Sequence, residues 1–180
     1  MQYGRDVSTR QIADAAGIAE GTIFRVFPNK DAVIDAVIEE AFESGPTITA
    51  LTGIDPDLDL TSRLEQAVEI LEARMRRVIA MFGALRRSPT PPPSSAAHKT
   101  HERRGRESNT KITMALTAVI GPDASRLRLP VEQVADLLRG LVFTVTHPML
   151  GATFSSEPRV IVDIVLHGVL TPTTQETRPC

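Results

Sequence analysis

Residues Ser8 to Asp31 read STRQIADAAGIAEGTIFRVFPNKD, and the punctuation of this stretch decides the fold. Ser8 followed three residues later by Gln11 fits a capping box, in which the serine hydroxyl accepts from the Gln11 amide while the glutamine side chain reaches back. A helix starting there runs through Ile12-Ala13-Asp14-Ala15-Ala16 and meets Gly17, a residue suited to the left-handed position that ends a helix. A second helix follows from about Ala19 to Phe27 and is closed by Pro28. Two short helices around a Gly-containing turn make a helix-turn-helix. Ala13 is small where the helices cross, and Ile12, Ile18, Ile23 and Val26 or Phe27 are apolar where the pair must seat on a third helix. In such a unit the second helix enters the major groove and the first crosses the phosphate backbone.

Outward from this stretch, helical periodicity persists and no sustained alternation of a half-buried strand appears, so the chain reads as all-α. Thr61 to Arg87 sets Leu64, Val68, Leu71, Met75, Val78, Ile79, Phe82 and Leu85 at steps of three and four, a continuous apolar stripe that needs partners along its length. The prolines between Pro89 and Pro93 end that helix in a loop, placed at 88–96. Helix resumes near Ala97 or His98 and runs to Ile120, where Gly121-Pro122 reads as a left-handed stop followed by a breaker. Pro130 at a first-turn position opens a helix through His147, and a last helix spans roughly Pro158 to Leu170. Apolar residues surround most of that last helix, so a partner chain is its simplest cover. The organisation expected is a helix-turn-helix reader at 1–43 and a helical body at 44–180.

The 180 residues carry a net charge of -2, which by itself advertises no polyanionic partner. That sum hides a segregation. Asp31 to Glu72 holds eleven acidic residues and one basic, Arg63, whereas Arg74 to Lys111 holds ten basic residues against Glu102 and Glu107. The two blocks suit facing each other, and a solvated, ion-paired face is the reading taken over a site for an anionic ligand. The one cysteine, Cys180, excludes an internal disulfide and points to a reducing cytoplasm. No secretory signal or membrane span is expected. With six Phe, one Tyr and no Trp, platforms for stacking single-stranded bases are poorly supplied.

The run Thr9–Ala32, with its Gly21-Thr22-Ile23-Phe24 and Phe27-Pro28-Asn29-Lys30-Asp31 segments, resembles the TetR (tetracycline-repressor-like) family of bacterial regulators. The resemblance implies a homodimeric repressor whose helical C-terminal domain binds a small effector and pairs through its last two helices, here about 130–147 and 158–170. It implies DNA contacts at Thr9 and Arg10, at Glu20, Gly21, Thr22, Phe24 and Arg25, and at Lys30. Thr22, Phe24 and Lys30 suit phosphates. Arg10 and Arg25 suit guanine O6 and N7. Glu20 departs from the family's neutral or basic residue, and either accepts from a cytosine N4 amine or complements the helix dipole. Ala19 departs from the usual Ser and forgoes a cap. Members of the family also carry a helix upstream of the turn that here reads Tyr3-Gly4-Arg5-Asp6, so the reader is expected to be N-terminally incomplete. The alternative this leaves is a dimeric ligand-binding protein that has lost DNA binding.

An effector pocket for an apolar or amphipathic ligand is expected near Met75, Ile79, Phe82, Met114, Leu138, Leu141, Phe143 and Thr144, although each equally suits an ordinary core. His98 and His101, with Glu102, have the spacing of metal ligands but read as surface residues, and no cofactor is expected. His147 reads as a helix-end cap and His167 as a satisfied interface histidine. No nucleophile motif, phosphate loop or paired-carboxylate spacing suggests an enzyme. The expected home is the cytoplasm, at the nucleoid.

Overall fold

The protein is seen in a computed structural model that describes residues 8–86, 95–147, Leu150 and 157–169. The helices are α1 (Thr9–Ala16), α2 (Glu20–Val26), α3 (Lys30–Phe42), α4 (Gly45–Thr52), α5 (Leu60–Arg86), α6 (Ser95–Ile120), α7 (Val131–Thr146) and α8 (Pro158–Val169), with a 3-10 segment at Gly121–Arg126. No strand forms among the described residues, and the fold is all-α with the helix-turn-helix at its N-terminal end. Two compact units are made of non-consecutive pieces: Met1–Ser44 with Arg76–Thr110, and Gly45–Met75 with Lys111–Cys180.

In the first unit, the capping box at α1 forms as the sequence predicts. Ser8 Oγ accepts from the Gln11 amide at 3.1 Å and Gln11 Oε1 accepts from the Ser8 amide at 2.8 Å. Gly17 ends α1 at φ 68°, and the Ile18 amide donates back to Ala13 O at 3.0 Å. A side chain at Gly17 would meet strain whatever the space around it. Asn29 caps α3 through Oδ1, which accepts from the Ala32 amide at 2.9 Å. Ala13, Ile23 and Val33 form the small core, with Ile12 and Phe27 against it. Of the residues expected to seat the pair, Ile18 and Val26 do not join in: they are 44% and 71% exposed. Ile23 and Phe27 lie four residues apart on one face of the turn-end, which leaves Val26 a third of a turn away.

Within the same unit α3 lies along the first half of α6. His101 Nε2 stands 3.9 Å from Asp35 Oδ1, Arg104 reaches Glu39 Oε1 at 3.0 Å, and the Phe42 ring packs over Gly105. The facing of acidic and basic blocks expected from the charge pattern is thus realised between these two helices. It contributes little per exposed pair.

The second unit holds the large core. Leu51, Leu64, Val68, Ile112, Leu116, Ile120, Val134, Leu138, Val142, Ile161 and Val162 are essentially fully buried there. The loop before α5 ends in Asp59, whose carboxylate accepts from the Ser62 amide at 3.0 Å and the Ser62 hydroxyl at 2.7 Å. The Ser62 hydroxyl, then its amide, hold the Asp59 carboxyl below its usual range. Arg63, buried one residue into that core, pairs with Asp123, which also takes Arg126 at 2.7 Å.

Four details differ from expectation. α4 is not announced by its sequence, GPTITALT, because eight residues rich in Thr show too little period; Pro46 in its first turn and buried Thr47 and Leu51 account for it. α6 begins at Ser95, so the last residues of the expected 88–96 loop are helical, and 87–94 lie outside the described residues. Gly121 adopts no left-handed conformation, since Gly17 is the one positive-φ glycine among the described residues; the chain passes instead into the 3-10 segment, with Pro122 in its first turn. Pro130 caps α7 from outside rather than opening it from within.

Candidate nucleic-acid interface

The outer face of the reader is set by what its inner face must bury. With Ile23 and Phe27 turned into the small core, α2 turns Gly21, Thr22, Phe24 and Arg25 outward, and all four are exposed. Phe24 is 49% exposed, a large aromatic side chain with no core of its own. Arg10 is exposed on α1, and Lys30, at the start of α3, is half-buried. Five of the positions named from the resemblance, Arg10, Gly21, Thr22, Phe24 and Arg25, therefore fall on exposed surface, while Lys30 and two others are half-buried.

The other two, Thr9 and Glu20, bond to each other: the Thr9 hydroxyl donates to Glu20 Oε1. This bond joins the first residue of α1 to the first of α2. Ala19 offers α2 no side-chain cap, as its sequence predicts, and the Thr22 amide is taken by Ala19 O at 2.8 Å. Thr9 and Glu20 lie eleven residues apart on different helices, so no helical or strand spacing announces their contact.

The expected effector residues fall in several different places. Met75 and Ile79 are half-buried one turn apart on α5, and the Phe82 side chain lies outside the described residues. Leu138 is wholly enclosed in the core with Val134 and Val142, whereas Met114 is 65% exposed. Leu141 and Thr144 line an open groove of about 910 Å³ between α7 and α8, together with Leu129, Asp136, Leu137 and Ile164. Phe143 is exposed beside the helix-ending His147, ring centroids 5.3 Å apart. The reason is register: 137, 141 and 144 form one stripe of α7, and 134, 138, 142 and 145 form the neighbouring core stripe.

Asp136 at the groove accepts from Thr113 at 3.0 Å and from Arg139 at 3.2 Å. His167 is exposed on α8 and pairs with Asp163 at 3.0 Å. The His98 side chain lies outside the described residues. Among the described residues no cluster of three potential metal ligands occurs, and no helix is long and apolar enough to cross a membrane.

Residues 2–37 match the sequence profile of bacterial regulatory proteins of the tetR family. No curated protein matches the chain. Among solved structures, a transcriptional regulator from Rhodococcus sp. Rha1 is similar at TM-score 0.60 and 21% identity, over 92% of this chain and 88% of that one. A putative transcriptional regulator of the TetR family from Vibrio parahaemolyticus aligns at TM-score 0.56 and 14% identity, over 92% and 88%. A SmeT-triclosan complex aligns at TM-score 0.56 and 17% identity, over 97% and 88%.

Proposed function

From the premise that residues 2–37 belong to the tetR family and that the described chain has the fold of its regulators, we propose a ligand-responsive repressor that binds a pseudo-palindromic operator as a homodimer. The observation that supports this best is the outer face of the reader. Exposed Arg10, Gly21, Thr22, Phe24 and Arg25 project from two helices held at a fixed angle by Gly17 and the Ala13–Ile23 contact. With α2 in the major groove, Arg25 and Arg10 read guanine edges, while Thr22, Phe24 and Lys30 meet phosphates.

Two recognition helices in successive major grooves require two copies, with half-sites about 34–36 Å apart. The α7–α8 face suits that pairing, since Leu137 is 51% and Ile164 44% exposed on either side of its groove. A small apolar or amphipathic effector acts on the helical body, 44–180, and lowers operator affinity to the extent that it prefers the non-binding conformation. One solved relative is named as a complex with triclosan, a small apolar molecule, which supports an effector of that class here. The protein works in the cytoplasm, at the nucleoid, and needs neither metal nor cofactor.

Selection from a randomised duplex pool, followed by polarisation titrations, tests the reading. The chain selects a two-fold half-site pair, and Arg25→Ala relaxes one base position in each half. A chain that prefers no sequence over random duplex at low salt refutes it.

A further inference from the structure

Glu20 is the one acidic residue of α2, the helix that enters the groove, and it is not placed there loosely. Its Oε1 accepts the Thr9 hydroxyl, and both residues are half-buried where α1 and α2 begin. An ionised carboxylate only accepts, and a threonine hydroxyl has one hydrogen to give. The bond therefore does two things. It engages the one hydrogen Thr9 could give to a phosphate, and it fixes the orientation of Glu20 through Oε1, so that Oε2 is the oxygen left to meet a base.

A fixed carboxylate beside duplex DNA is repelled by phosphates and by every base edge that presents only acceptors. In the major groove the groups that reward it are the amines, cytosine N4 above all and adenine N6 less cleanly, because adenine sets its N7 acceptor alongside. Guanine presents N7 and O6, and thymine O4, all of them acceptors. On these grounds, and resting on the regulator reading above, we infer that Glu20 is a specificity-determining residue that selects a cytosine at one position of each half-site, and that Thr9 is a positioning residue that orients it. Thr9 leaves the set of direct DNA contacts, and the carboxylate lowers affinity for every duplex lacking the cytosine.

The test is half-site selection and single-base titration with the full chain, comparing wild type with Glu20→Gln, Thr9→Val and Thr9→Ser. Wild type prefers cytosine at one position by about tenfold over guanine or thymine. Glu20→Gln still accepts from Thr9, so the fold is kept, but its amide pairs best with adenine N6 and N7. The cytosine preference gives way to adenine, and random duplex is bound several-fold more tightly. Thr9→Val keeps cytosine first with weaker discrimination, and Thr9→Ser restores it, an outcome that loss of packing alone does not produce. If wild type selects a half-site and Glu20→Gln selects it with unchanged preference at every position, the inference is wrong and the regulator reading stands. If wild type selects nothing, the regulator reading itself has failed and this inference falls with it.

Discussion

Lys30→Ala separates a phosphate contact from a structural role, and its effect can be worked out in advance. The outer face of one reader carries three cations, Arg10, Arg25 and Lys30. If each displaces one condensed counterion, two readers displace about six, and the slope of log affinity against log salt is about −5.4. Removing Lys30 leaves about four and a slope near −3.6. Between 50 and 200 mM salt the wild type then loses roughly 2,000-fold in affinity and the variant roughly 150-fold. Their titration curves converge as salt rises. The assay is polarisation with a selected operator at five or more salt concentrations, with Lys30→Arg as the control that restores the slope. Lys30 also opens α3 behind the Asn29 cap, so a purely structural effect is the competing outcome. Parallel lines, with Lys30→Ala weaker by a constant factor at all salts, refute the phosphate role.

Three stability predictions follow from contacts in the body and the α3–α6 seat. Arg63 is 3% exposed and its loss strands Asp123 with Arg126 alone, so Arg63→Met costs about 2–3 kcal/mol in urea unfolding, and a cost under about 0.5 contradicts the buried pair. Arg63→Met with Asp123→Leu recovers most of it, because no uncompensated charge then remains. The Asp59 carboxyl is held down by Ser62, so its contribution as the α5 cap is complete at neutral pH and is lost as pH falls through the lowered value. The gap in melting temperature between wild type and Asp59→Ala therefore stays constant down to about pH 4 and closes below it; a gap that widens on acidification refutes this. Gly105→Ala places a methyl 3.4 Å from Phe42 Cε1, an ordinary contact, and removes a helix-interior glycine, so it stabilises by about 0.5–1 kcal/mol. A lower melting temperature shows that the Phe42 ring cannot share the space.

The parts of the fold that depend on local chemistry are legible in the residues. Ser8 and Gln11 specify their capping box without help from the rest of the chain, and Gly17 takes the left-handed turn for which glycine is suited. The long stripe from Leu64 to Leu71 points into the core as its period requires. What escapes is whatever depends on which of two adjacent stripes faces inward. On α7 the core takes 134, 138, 142 and 145, and the groove takes 137, 141 and 144, a choice that depends on what packs against α7 and not on its own sequence. An apolar residue on either stripe reads the same, so the sequence groups Leu138 with Leu141 and the structure separates them. Gly121 is misread for a related reason: glycine permits a left-handed turn but does not compel one, and the following Pro122 fits a 3-10 turn equally well.

The candidate site is legible only in part, and the limit has a physical origin. Outward-facing residues of α2 follow from the burial of Ile23 and Phe27, so Thr22, Phe24 and Arg25 are placed by period alone. Glu20 is different, because its meaning depends on a partner from another helix. Seen by itself it is either an acceptor for a base or a charge complementing the helix dipole. The Thr9 hydroxyl favours the first role: a side chain that served only the dipole would need no fixed direction, whereas one that must meet an amine in the groove gains from being held. On the proposed regulator function, the same bond lets a chain of net charge -2 read a polyanion selectively. Its cations supply attraction to any duplex, and a carboxylate in the reading face withdraws that attraction wherever the base edge offers no hydrogen, so discrimination comes from a penalty on wrong sites as much as from a gain at the right one.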